Sequence, residues 1–285
     1  MKIMPELSET QLASSLQYLR CPACLKNFPG NDDNAGELAI GQGNALRLEC
    51  GTCSASYPVV NGVIDFLPGY EEASSPGLAQ WFMENPTVVN FYEKYFRPAF
   101  TRMGSPIRYD EEIKWLKSVL PGEPVRCITD LACGTGKYSR LLHRHLGPDL
   151  VFAVDISMPM LQKAETMAAA EGATNILHVR ADAAALPLKN QSINGINCFG
   201  ALHLFPETGR TIAEIGRIAA ENAFFTCLTA RKLPIWRPVQ VPFSKLFSFH
   251  FFDEEWMEAR LARSGFRDFQ KTVNRMVLMF ACIKV

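Results

Sequence analysis

The sequence predicts an α/β fold: a doubly wound, mostly parallel sheet with a small cysteine-bearing module in front of it. Three observations predict it. From Tyr109 to Val285 short apolar runs alternate with segments of helical period. Strands separated by helices need crossover connections, and these give parallel sheets covered on both faces. The first apolar run of this zone passes directly into Gly134-Thr135-Gly136, at the carboxyl end of a strand, where such sheets carry their ligand crevice. Ahead of all this, four cysteines stand as two CxxC pairs.

The elements follow in order. Residues 20–70 carry the paired cysteines, and YPVVNGVIDFLP reads as two short strands turning at Asn61-Gly62. Residues 71–77 are a polar joint, and the aromatic stretch that follows, to about Met103, reads as two helices broken near Pro86. Glu111 to Leu120 is helical and stops at Pro121-Gly122. VRCITDLAC is a buried strand, followed by the glycine loop and the helix KYSRLLHRHL. DLVFAVDIS and its helix MPMLQKAETMAAAEG come next, then the strand NILHVRADA. INGINCFGALHLF is a fourth strand, reached across ALPLKNQS. The helix TGRTIAEIGRIAA leads to a fifth strand, AFFTCLTA. After an aromatic insertion, the helix DEEWMEARLARSGF and the strand VLMFACIKV close the chain. Right-handed crossovers place the ligand crevice at the carboxyl ends of the strands.

Composition narrows the function. A chain of 285 residues that is 48% hydrophobic can bury a large core. No apolar run is long enough to span a bilayer. The first residues are too polar for a secretory signal. The net charge is zero, which removes the basic excess that would by itself suggest nucleic acid. Of nine cysteines, the five outside the CxxC pairs sit mostly in apolar runs. Without an export signal, that favours reduced thiols and a cytoplasmic location.

Glycines at 134 and 136 let the backbone turn sharply and approach a ligand closely. A lone glycine loop is weak evidence, but its neighbours sharpen it. Asp155 ends the second strand 25 positions after Asp130, where a carboxylate can accept both hydroxyls of a ribose. Asp182 follows the third strand, placed for the amino edge of an adenine.

These residues resemble the class I S-adenosylmethionine-dependent methyltransferases. DLACGTGKYSRLL is similar to their first motif, AVDIS to their second, RADAAALPL to their third and CFGALHLFPE to their fourth. FDEEWMEARLARSGF resembles the helix before their closing strands, so the likeness runs from about Val125 to Val285. A dinucleotide-binding dehydrogenase would prefer GxGxxG, and its third glycine position is Ser139 here. The resemblance implies a Rossmann-like, seven-stranded sheet with the last strand antiparallel, and S-adenosylmethionine as the ligand. It implies that Asp130 orients the loop and the ligand's amino group, and that Ala132, Gly134 and Gly136 line the methionine part. Asp155 would hold the ribose, Ile156 or Met158 would flank the adenine, and Asp182 with Ala183 would meet its amino group. Phe199, in the fourth motif, belongs with the same donor-site set. Ala132 stands where the family often has Gly, and Ala220-Glu221-Asn222 replaces its usual Pro-Gly-Gly turn.

Cys21, Cys24, Cys50 and Cys53 form CxxC, a gap of 25 residues, and CxxC again. Two intervening residues let both thiolates of a knuckle reach one metal, and two knuckles complete a tetrahedral site. Structural zinc is the expected occupant, with an iron centre or a redox pair as alternatives. Four thiolates leave no open position for catalysis, and so small a segment would draw much of its folding free energy from the metal. The stretch LRLECGTCSASYPVVNGVIDFLP also resembles the N-terminal ribbon of a subset of these enzymes, some of which methylate a guanine in ribosomal RNA. Here, however, residues 1–70 hold four basic and seven acidic residues, a net charge of −3, which makes a poor phosphate clamp. The expected organisation is a zinc ribbon over residues 1–70, a linker with aromatic helices capping the active site over 71–108, and a donor-binding domain over 109–285.

Methyl transfer from a sulfonium is an in-line displacement, so the protein's task is to hold the reacting atoms close in a dry site. A base is needed only where the acceptor must lose a proton. His203, after the fourth strand, is the leading candidate; the alternative is a histidine bonded to the backbone beneath the ligand. Tyr92, with Tyr95, could close over the donor or simply pack. His250 lies in the aromatic insertion, whose Phe243, Phe247, Phe249, Phe251 and Phe252 suggest an apolar or aromatic acceptor or else a docked lid. Arg231, Lys232, Arg237 and Lys245 are solvated, or receive an acidic group. The first expectation is methylation of a small molecule. An RNA base methyltransferase is the second, and a non-catalytic ligand-binding or partner-activating protein the third. No membrane partner is expected, and oligomeric state is not legible.

Overall fold

The computed structural model describes residues 7–27, 36–43, 45–69, 84–99, 108–123, 125–233, 240 and 249–285. The polar joint at 71–77, and Arg237, Phe243, Lys245 and Phe247 of the insertion, lie outside the described residues.

The N-terminal part contains α1 (Glu9–Ser15), α2 (Pro22–Asn27), β1 (Leu38–Ile40), β2 (Arg47–Cys50), β3 (Ser56–Val60) and β4 (Val63–Asp65). α3 (Pro86–Phe91) runs into a π-helical turn (Tyr92–Phe96), and α4 (Tyr109–Val119) follows. The alternating part is β5 (Cys127–Leu131), α5 (Lys137–Leu146), β6 (Leu150–Asp155), α6 (Met158–Ala170), β7 (Ile176–Arg180) and β8 (Ile193–Phe199). A 3-10 turn (Leu202–Leu204), α7 (Thr208–Ile218), β9 (Ala219–Ala230), α8 (Glu254–Arg263), β10 (Phe266–Asn274) and β11 (Val277–Lys284) complete it.

Among the described residues the strands form one sheet in the order β1-β2-β3-β4-β7-β6-β5-β8-β9-β11-β10. β7, β6, β5, β8 and β9 run parallel, and β11 is antiparallel to both β9 and β10. β7, β6, β5, β8, β9, β11 and β10 make up a seven-stranded core, with the chain winding outward in both directions from β5. The sheet itself has eleven strands and not the seven expected, because β4, β3, β2 and β1 extend it past β7. The switch point between β5 and β8 is where such a sheet opens a ligand crevice. Every residue of β5 is buried, as a strand covered on both faces must be.

The expected separate ribbon is not delineated. β4 pairs in parallel with β7, placing Val63 opposite His178 and Asp65 opposite Arg180. The hairpin turn at Asn61-Gly62, with φ of 50° and 80°, lets β3 fold back on β4, and β2 and β1 continue the sheet. One apolar cluster runs from Leu12, Leu19 and Leu48 through Ile64 to Phe152, Phe225 and Phe280. The physical reason is size: so short a segment cannot bury enough apolar surface alone, and β7 would otherwise present an unpaired edge. α1, α2, β1, β2 and β10 have no counterpart in the residue pattern. α1 is capped by Ser8 and Gln11 reciprocally, and β10 is a largely exposed edge strand.

Candidate active site

The glycine loop is built from left-handed residues. Ala132, Gly134 and Gly136 have φ of 51°, 55° and 72°, and the turns return the Cys133 N–H to the carbonyl of Val154 at 3.0 Å. A Cβ at Gly136 would stand 3.0 Å from that of Ala164 on α6, so glycine there allows the loop to seat against its neighbour. Asp155 closes β6 and binds the same loop. Its Oδ2 accepts the Gly134 N–H at 2.8 Å and its Oδ1 the Ser157 N–H at 2.9 Å. Burial raises its pKa, opposed by those N–H donors.

Asp130 is almost fully buried beneath the loop. The Ser139 hydroxyl donates to one of its oxygens at 2.6 Å and the Asn197 amide to the other, also at 2.6 Å. Burial pushes its pKa up to about 6 against these hydrogen bonds. The Ala181 N–H bonds the Asp155 carbonyl at 3.1 Å, which sets the end of β7 beside the end of β6. Asp182 follows, its carboxylate accepting the Ala184 N–H at 2.8 Å. Ile156, Met158 and Ala183 are half-buried around this rim. Phe199, at the end of β8, is buried, with the Tyr138 ring 4.9 Å away and Trp115 at 6.2 Å.

The π-helical turn covers the loop. A Cβ on Gly134 would lie 3.7 Å from the Tyr92 ring, and burial raises the Tyr92 pKa. Glu93 accepts the Thr135 hydroxyl at 2.7 Å and pairs with the Arg140 guanidinium at 3.0 Å. Arg140, also bonded to the Thr135 carbonyl at 2.7 Å and to Glu171 at 2.9 Å, is buried. Arg97 pairs with the fully buried Glu112 at 3.3 Å, and the Tyr138 hydroxyl donates to Glu112 at 2.7 Å. A Cβ on Gly200 would stand 3.0 Å from Arg97, placing this network at the end of β8. The residue pattern gave no warning of Glu93, Arg97, Glu112 or Arg140. Each lies in a helical segment where a charge ordinarily reads as solvated, and only the covering of one segment by another buries them. Tyr95, by contrast, is exposed, its ring 5.9 Å from Phe91.

Beyond β8 the chain brings aromatic rings together. His203 is half-buried, its ring 4.4 Å from Phe249, and Phe249 lies 4.8 Å from Phe251. The His203 Nδ1 is 3.5 Å from the Thr229 hydroxyl, and its carbonyl accepts the His250 N–H at 2.7 Å. Burial, then the charges of Arg97 and His250, push the His203 pKa down to about 3. The ring is therefore neutral near pH 7 and only weakly basic. The His250 ring stacks on Phe252, which stacks on Trp256. Arg231 and Lys232 pair with Glu254 and Asp253, at 2.7 and 2.9 Å.

The four CxxC sulfurs converge. Cys21, Cys24, Cys50 and Cys53 lie within 4.8 Å of one another, with Cys21 and Cys53 3.6 Å apart and Cys24 and Cys50 also 3.6 Å apart. A tetrahedral thiolate site with metal–sulfur bonds of about 2.3 Å separates its sulfurs by about 3.8 Å, so this set could hold a metal ion. The Tyr57 hydroxyl adds an outer contact to Cys21 Sγ at 3.1 Å.

Residues 128–222 match a family described as "Methyltransferase domain". An uncharacterized chloroplastic methyltransferase of Arabidopsis thaliana is 26% identical over 98% of this chain and 80% of its own length. A second such Arabidopsis protein is 30% identical over 75% of this chain and 61% of its own. The demethylmenaquinone methyltransferase of Geobacillus stearothermophilus is 26% identical over 53% of this chain and 64% of its own. This chain thus spans less than two thirds of the latter two relatives. Among solved structures, phosphoethanolamine N-methyltransferase 2 of Haemonchus contortus, in complex with phosphomonomethylethanolamine and S-adenosylhomocysteine, superposes with a TM-score of 0.57. It is 14% identical, over 71% of this chain and 60% of that one. The fold is that of the class I methyltransferases.

Proposed function

We propose that this S-adenosylmethionine-dependent methyltransferase acts on a small, largely apolar or aromatic molecule. The observation that carries the reading is the run of packed aromatic rings just beyond β8, His203 against Phe249 and Phe249 against Phe251. The chain's likeness to demethylmenaquinone methyltransferases points the same way. The acidic balance of residues 1–70 argues against RNA as the acceptor. The four cysteines hold zinc in a structural role, since a closed thiolate set leaves no catalytic position.

The donor, when bound, supplies a methyl group made electrophilic by its sulfonium. In this reading Asp155 holds the ribose, Asp182 and Ala183 the adenine edge, and Ile156 or Met158 its face. Asp130 sets the loop and faces the amino group. His203, whose conjugate acid has a pKa of about 3, cannot drive ionisation of an alcohol. It orients the acceptor as a neutral hydrogen-bonding group, which suits an acceptor that ionises readily by itself. Tyr92, over Gly134, closes the donor end against water, and His250 fixes His203 through the backbone.

The test is transfer from labelled donor into cell extract, split into organic-soluble small molecules and RNA before counting. Label should enter the small-molecule fraction, and Asp155→Ala should cut it at least about a hundredfold, the loss expected when a charge-assisted pair of hydrogen bonds to the donor disappears. Label found in RNA instead would favour the ribosomal reading. No transfer, with donor still bound, would favour a non-catalytic binding protein.

A further inference from the structure

The cysteine module and the donor rim share a cavity. Its volume is about 300 Å3, and it is lined on one side by Pro22 and Ala23, the residues between Cys21 and Cys24, and on another by Ala181 and Asp182 at the end of β7. Tyr57 and Phe66 also line it. Tyr57 stands between the cluster and the seam: its hydroxyl is 3.1 Å from Cys21 Sγ, and its ring lies 4.7 Å from that of Phe66, whose N–H bonds the Arg180 carbonyl at 2.9 Å.

The attachment between the two parts is redundant. The Arg20 N–H bonds the Pro187 carbonyl at 3.1 Å, and the Lys189 N–H bonds the Tyr18 carbonyl at 2.8 Å. These tie the chain just before Cys21 to the loop just beyond Asp182. Asp65 pairs with Arg180 at 3.4 Å, both largely buried, and the Arg180 Nε donates to the Ile156 carbonyl at 3.0 Å. The first knuckle thus forms one wall of the cavity, and the β4–β7 seam connects to Ile156 through Arg180.

We propose that the cysteine cluster is a positioning element for the adenine end of the donor site, so that metal and donor bind cooperatively. This rests on the reading of Asp182 and Ile156 as the adenine's neighbours. Linkage makes the effect reciprocal: zinc raises nucleoside affinity by the factor by which the nucleoside raises zinc affinity. The coupling resides at the nucleobase end, so a donor analogue without the amino-acid tail should carry it in full.

Calorimetry on the full chain, zinc-loaded and zinc-depleted, with S-adenosylhomocysteine and with 5′-methylthioadenosine provides the test. A second arm measures zinc affinity by competition with a chromophoric chelator, with and without S-adenosylhomocysteine. Both nucleosides should bind at least about fivefold tighter to the loaded protein, and zinc affinity should rise by the same factor. In the zinc-loaded protein, Ala23→Trp fills the cavity and should weaken both nucleosides at least about fivefold at full zinc content. Tyr57→Phe, which keeps the ring and drops the contact to Cys21, should pull the coupling factor toward one. Equal nucleoside affinity with and without zinc, or Ala23→Trp leaving affinity unchanged, overturns the proposal while the donor assignment stands. Failure of both nucleosides to bind any preparation overturns the donor assignment itself.

Discussion

At the scale of single residues the site is governed by a buried carboxyl. Asp130 titrates near pH 6 because burial penalises its charged form more than two hydrogen bonds favour it. A raised carboxyl contributes stability below its unfolded value, near 4, and that contribution is lost as pH rises through 6. A ligand bearing a positively charged amino group reverses the preference, since it favours the carboxylate. Binding of S-adenosylhomocysteine should therefore expel a proton near pH 6. Affinity should climb between pH 5 and 7, by at most tenfold per unit, and flatten above. Calorimetry in buffers of different ionisation enthalpy would count the proton, and Asp130→Asn should abolish both the count and the slope. A pH-independent affinity in the parent protein would show that Asp130 does not face the ligand's charge. The position of Asp130, like that of Asp155 and Asp182, was legible in the sequence, because strand ends and glycine loops are local patterns. Its pKa was not, because burial is a property of the packed molecule. The same reason hid the weak basicity of His203: a histidine after a strand reads as a base until its surroundings are known.

At the scale of elements, the π-helical turn between α3 and Arg97 decides how the glycine loop is covered. A π turn takes one more residue than an α turn and re-aims the side chains around it, here setting Tyr92 above Gly134 and Glu93 against Thr135 and Arg140. Glu93 is thus the contact by which one helical segment holds the glycine loop. Glu93→Ala should raise the donor KM by about tenfold, the discounted value of an ion pair that keeps some exposure, with kcat changed much less. Glu93→Gln keeps an acceptor for Thr135 and should recover part of the loss. If both variants lowered kcat and left KM alone, the turn would be serving chemistry and not donor retention. The helices and strands of the alternating zone were readable from period and punctuation. The edge elements were not. β10 is polar and exposed on most of its length, so it carries no apolar alternation, and the pairing of β4 with β7 joins residues more than a hundred positions apart, which no window along the chain can see.

At the scale of the whole molecule, that pairing makes the cysteine module part of the catalytic sheet. β4 hydrogen-bonds along β7, Asp65 and Arg180 form a largely buried pair across the seam, and one apolar cluster spans both sides. His178 sits in the same seam, buried, its Nε2 without a hydrogen-bond partner among the described residues, and its pKa pushed down to about 4 by that burial. A depressed histidine stabilises the fold above its unfolded value, near 6.5, and the contribution fades as pH falls toward 4. Acid should therefore weaken the seam as His178 takes up a proton. Cooperative unfolding follows from this construction: elements that share a core and a sheet do not melt independently. All four tryptophans lie outside residues 1–70, so their fluorescence reports on the rest of the chain, while zinc release to a chelating dye reports on the cysteines. In the zinc-loaded protein the two signals should change together on heating. Stripping the zinc should lower the tryptophan-detected midpoint by about 5 °C or more, the shift that roughly 2 kcal/mol produces in a domain of this size. Zinc release that runs well ahead of the tryptophan transition, with an unshifted midpoint after stripping, would mean that the cysteine module folds as a separate unit and that the β4–β7 seam carries little of the stability.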